Sequence, residues 1–80
     1  MPLAEPRVVA WSDHAAAKAE LLGISLADVE DAVLAGHSRR TRNTRAADWL
    51  LLAGRLAIAY NHPDRGDELT ARVVTLWQRR

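Results

Sequence analysis

Between residues 13 and 36 the apolar positions fall three and four apart, whereas between 49 and 60 and between 69 and 77 they run in blocks. The first pattern predicts helices and the second predicts buried strands. Residues 7–11, R-V-V-A-W, are short and β-prone and predict an opening strand. Ser12 or Asp13 can then cap a helix reaching about Leu22, where Gly23 stops it. Ser25 starts a second helix, with Asp28 at its third position and Ile24 and Val29 spaced as a hydrophobic staple. Leu26, Val29 and Val33 share one face of it, and Gly36 marks its end. Both helices are too short to be stable alone and must pack on something.

The blocks supply that surface. D-W-L-L-L-A-G-R-L-A-I-A-Y reads as two strands around Ala53 and Gly54, a hairpin whose glycine can take positive φ. Residues 61–68 are rich in turn formers, and Pro63 holds His62 extended. Residues 69–77 form the last long strand. Residues 37–45, H-S-R-R-T-R-N-T-R, are polar throughout and read as an edge strand or a basic loop. The expected fold is α+β: two short helices on a mostly antiparallel sheet of three or four strands, in the order β-α-α-(β)-β-β-β. One domain spans residues 1–80, with about 7–78 as its ordered core.

Strict alternation in the last strand puts Ala71, Val73, Thr75 and Trp77 on one face, and Arg72, Val74 and Leu76 on the other. Leu50 and Leu52 likewise oppose Trp49 and Leu51. Two short helices cover one face of a sheet. A partner chain or a second copy is therefore expected over the other, which carries Leu50, Leu52, Val74, Leu76 and Arg72.

Charge sharpens the picture. Residues 1–36 hold two basic residues against six acids, net −4, and residues 37–80 hold nine arginines against four acids, net +5. The basic half suits a polyanion. The chain has no cysteine, which excludes disulfides and thiolate zinc and suits a reducing cytoplasm. No apolar run reaches the length of a membrane span, and residues 1–7 contain no leader-like apolar core. The three histidines stand 23 and 25 residues apart, without metal-ligand spacing, and the four glycines are scattered, without a phosphate loop. No metal or cofactor is expected.

Histidine and arginine remain as candidate chemistry. RNA cleavage without a metal needs a base for the 2′-hydroxyl, an acid for the leaving oxygen and cations for the crowded phosphorane. Imidazole suits the proton transfers and guanidinium the phosphate. His14, at the strand-to-helix junction, is the first proton-transfer candidate and His62 the second; Arg72 and Arg45 are the candidate phosphate stabilisers. Arg39, Arg40 and Arg42 are expected to hold RNA. Lys18, one turn beyond His14, is by default a solvated residue that can share its site. Trp11, Trp49, Trp77 and Tyr60 sit in apolar strands and are expected to pack rather than to stack on bases.

S-D-H-A (12–15), G-I-S-L-A-D-V-E-D-A-V (23–33), a hairpin and V-V-T-L-W (73–77) together resemble the bacterial domain of unknown function 4258 family. That family is similar to RelE/BrnT-like toxins of the barnase–colicin–RelE group. The resemblance covers about residues 7–78, and its motifs are short. It marks His14 as the signature histidine and Thr75–Trp77 as part of the signature. It departs at Leu22, where the family often has arginine before G-I-S. The resemblance implies a cytoplasmic toxin-class endoribonuclease, an antitoxin partner and a translation-linked RNA substrate. The alternative is a non-catalytic module that binds nucleic acid or antitoxin on the same fold.

Overall fold

A computed structural model describes residues 5–45 and 47–79, so both extremities of the 1–80 domain boundary lie outside the described residues. Its elements run β1 (Val8–Trp11), α1 (Asp13–Leu22), α2 (Leu26–Gly36), a 3₁₀ turn (His37–Arg39), β2 (Thr41–Arg42), β3 (Trp49–Ala53), β4 (Leu56–Asn61) and β5 (Thr70–Gln78). The α+β class is as expected, but the sheet has five strands, in the spatial order β1-β5-β4-β3-β2. β1 pairs with β5 in parallel, and the other three pairings are antiparallel. The 37–45 segment is both things its composition allowed: a two-residue edge strand flanked by a 3₁₀ turn and loop.

The helix signals act locally. Ser12 caps α1 by accepting from the Ala15 amide at 3.0 Å, and Gly23 closes it at φ 70°. Ser25 accepts from the Asp28 amide at 3.3 Å. Gly36 ends α2 as expected, though not as a left-handed cap. Its φ is −101°, and the chain passes from α2 into the 3₁₀ turn without a left-handed stop. The glycine is needed for space, since a Cβ there would stand 2.9 Å from Leu51 Cδ2.

The core lies between the helices and one face of the sheet. Ala15, Ala19, Val29 and Val33 meet Leu51, Ile58, Tyr60, Ala71, Val73 and Leu76, all at most 1% exposed. Trp11 Nε1 donates to Glu30 at 2.9 Å and ties β1 to α2. Full burial of residues such as Leu51, Ile58 and Leu76 contributes about 1.5–3 kcal/mol each.

The face assignment of β5 needs correcting. Tyr60 pairs with Val73 but Ala59 pairs with Thr75, so Val74 is the extra residue of a β-bulge. Beyond the bulge the alternation is inverted. Leu76 joins the core opposite Ile58, while Thr75 and Trp77 lie on the outer face with Arg72. Leu76 is therefore not one of the exposed residues of the open face.

Candidate functional site

The bulge positions the first candidate site. The Ser12 amide donates to the Val73 carbonyl at 2.9 Å, extending the β1–β5 ladder, and Ser12 Oγ donates to the carbonyl of the bulged Val74 at 3.0 Å. The first turn of α1 is thereby pinned to the middle of β5. His14, exposed on that turn, shares a 3.3 Å hydrogen bond between its Nε2 and Thr75 Oγ1. A groove of about 370 Å³ opens beside it, lined by Ala17, Lys18 and Leu21 as well as His14. Two residues 61 apart in sequence thus meet at one point, with the Lys18 ammonium one helical turn away.

The other proposed catalytic residues do not join them. Arg72 is engaged elsewhere: its Nε pairs with Asp64 at 3.1 Å and its Nη1 donates to the Trp11 carbonyl at 3.2 Å. The Asp64 hydrogen bond and charge hold its pKa above the usual arginine value. Its geometry is that of a tie between β5, β1 and the 61–68 loop. Arg45 lies exposed in the loop after β2, on the far side of the sheet from β1. His62 is 3% exposed, follows β4 and is joined to Pro63 by a cis bond. Its Nε2 lies 2.7 Å from the Glu68 carbonyl. Since a carbonyl can only accept, Nε2 carries the proton and is occupied.

A second polar constellation is one that sequence reasoning missed. His37 (5% exposed) and Tyr60 (0%) share a 2.8 Å hydrogen bond through His37 Nδ1 and the phenol oxygen. The His37 and His62 rings meet edge to face with centroids 4.7 Å apart. Trp49 Nε1 donates to the His62 carbonyl at 3.1 Å. Arg40 closes the circuit, donating to the His37 carbonyl at 2.9 Å with its guanidinium 4.1 Å over the Trp49 ring. Burial, then the Arg40 charge, then His62, depress the His37 pKa to about 4. Burial pushes the Tyr60 phenol up to about 12, against a smaller opposing pull from Arg40. Both groups are neutral near pH 7, and the cluster latches the 3₁₀ turn, β3 and the exit of β4 together.

Arg39, Arg42 and Arg45 are exposed, whereas Arg40 is half-buried in its Trp49 contact. Arg42 lies 5.4 Å from the same ring. Trp49 is thus engaged by guanidinium groups, and its packing role is as expected. The one ion pair within 4 Å among the described residues is Arg72–Asp64, so no carboxylate neutralises Arg39, Arg42 or Arg45 there. No cluster of three or more metal-ligating side chains occurs among the described residues, and no helix among them is long and apolar enough to cross a membrane. Compared with protein-family models, with curated proteins and with solved structures, the chain matches none.

Proposed function

We propose that the chain is a nucleic-acid-binding domain of the RelE-like toxin class that holds RNA phosphates with the arginines of residues 37–45. The supporting observation is that Arg39, Arg42 and Arg45 are exposed at the β2 end of the sheet without a carboxylate partner among the described residues. Arginine forks there can take phosphates at low desolvation cost, giving salt-sensitive affinity without sequence preference. Arg40 supports the segment from below through Trp49 and the His37 carbonyl. The test is RNA binding as a function of salt for Arg39→Gln/Arg42→Gln/Arg45→Gln. The slope of log K against log salt is expected to fall by about 0.7 for each phosphate no longer held. An unchanged slope refutes this reading.

A second, catalytic reading is favoured by the His14–Thr75 contact. An exposed imidazole beside a hydroxyl, with an ammonium one turn away, can move a proton at an RNA 2′-hydroxyl and steady the phosphate. In that case the chain is a metal-independent endoribonuclease that uses His14 and Lys18, without Arg72 or His62 in the reacting set. The resemblance to toxin-class proteins around S-D-H-A and V-V-T-L-W accords with it. A partner or antitoxin that covers His14 would then silence the site.

A further inference from the structure

Trp77 departs from the packing expected of it and stands 38% exposed. Strand pairing sets it in one row with Ala57 and Leu52, across β5, β4 and β3. Ala57, in the middle of that row, is 0% exposed, so the larger side chains on either side close over it. Trp77 thus lays one side of its indole on the sheet and turns the other to water. Two residues back on the same face, about 7 Å along the strand, Thr75 meets His14. Two residues on, Arg79 is tied to the β3–β4 turn, its amide donating to the Arg55 carbonyl and its Nη2 to the Gly54 carbonyl.

The charge at this corner is of one sign. Residues 49–63 and 69–79 contain no acid. Arg55 and Arg79 are exposed, and neither has a carboxylate within 4 Å among the described residues. Asp64 and Asp13 place their charge beside Arg72, at the other end of β5. An open indole face and two guanidinium groups without acids are the two parts of a single-strand binding surface, one for a base and one for its phosphates.

We propose that this corner is a stacking platform for single-stranded RNA: a nucleobase lies on the outward face of Trp77, and Arg55 and Arg79 hold the phosphates beside it. The proposal rests on the RNA reading above and names the form of RNA taken. A duplex keeps its base faces covered by their neighbours, so only an unpaired base can lie on the ring. Every base has such a face, and the platform is therefore blind to sequence. Arg79 spends one of its five N–H donors on Gly54 and keeps the others for phosphate. A ring laid over Ala57 offers a flat face rather than a protruding wedge, which suits a base better than a lipid surface. β5 and β2 are three strand spacings apart, about 14 Å, so one RNA strand can touch Trp77 and the basic 37–45 segment together. Under the catalytic reading, the stacked base also sets which phosphate faces His14.

The test compares binding of a labelled oligouridylate with that of an RNA duplex of the same length, by fluorescence anisotropy and indole quenching on the full chain. The parent should prefer the single strand and lose indole emission on binding it. Trp77→Leu keeps Ala57 covered but has no flat ring, and should weaken single-strand binding about tenfold or more while leaving the duplex unchanged. Trp77→Phe should retain most of the affinity. Arg55→Gln/Arg79→Gln should lower the slope of log K against log salt by about 0.7 for each phosphate lost. Circular dichroism melts show which variants fold, and Arg55→Gln alone, in the turn, carries the test if Trp77→Leu does not. A folded Trp77→Leu that binds the single strand as well as the parent, an equal loss on the duplex, or an unchanged slope in a folded Arg55→Gln overturns the platform. The arginines of residues 37–45 keep their own test in each of these cases. A parent that binds no RNA overturns both readings, and an indole that responds to anionic lipid vesicles instead assigns the corner to a membrane surface and overturns the platform.

Discussion

Two histidine settings in one small domain are opposites. His14 is exposed, on the first turn of a helix, with a single 3.3 Å contact to Thr75. His37 is buried, held at 2.8 Å by Tyr60, edge-on to His62, and bridged through its carbonyl to Arg40. The first is open to a ligand and, with one long contact, contributes little to stability. The second has lost that access, and its neutral form is part of what keeps the 3₁₀ turn on the sheet. An unbound, accessible imidazole is the better catalyst, and a saturated one is the better latch.

The largest effect expected from breaking this contrast is at Tyr60. Replacing it with alanine removes a fully buried ring and the partner of His37, and should cost about 3–5 kcal/mol in urea unfolding. For an 80-residue domain that is a large part of the total. A loss under about 1 kcal/mol would show that the cluster holds nothing together.

Acid comes next. The unfolded His37 takes its proton near pH 6.5 and the folded one only near 4, so the unfolded chain binds more protons between these values. The stability from neutral burial is complete above about pH 6.5 and is lost as pH falls toward 4, by about 2–3 kcal/mol. His37→Gln should flatten that part of the profile. On the alkaline side the sign reverses in proton count but not in outcome. Tyr60 keeps its proton to about 12 when folded and to about 10 when unfolded, so stability falls again above pH 10. Thermal melts between pH 4 and 11 show both limbs if the cluster is neutral and buried.

The smallest effect on stability is expected at His14. His14→Ala should change unfolding by no more than about 0.5 kcal/mol, because the side chain is exposed and has one long contact. Any RNA cleavage, or growth arrest on induction, should nevertheless disappear. A folded His14→Ala chain that retains either would remove His14 from the chemistry and leave the binding reading alone.

Local sequence determined the helices and their ends. Ser12 and Ser25 cap through bonds to amides three residues away, and Gly23 and Gly54 take φ 70° and 60°, so each signal is complete within one turn of chain. The α+β class followed from two amphipathic segments beside apolar blocks. The charge split was equally visible, since it needs only a count. His14 was legible as a candidate because it stands at a strand-to-helix junction.

Tertiary structure decided the rest. The bulge at Val74 could not be read from A-R-V-V-T-L-W, where apolar residues allow either alternation. Its carbonyl is claimed by Ser12, 62 residues earlier, and this bond also sets His14 over Thr75. Arg72 became a tie because the 61–68 loop folds Asp64 back onto β5. The His37–Tyr60–His62 latch joins positions 23 and 25 residues apart in no known spacing pattern, so no local signal announced it. Burial and long-range pairing are properties of the packed chain. A residue's neighbours along the sequence determine its backbone, and its neighbours across the sheet determine whether it can act.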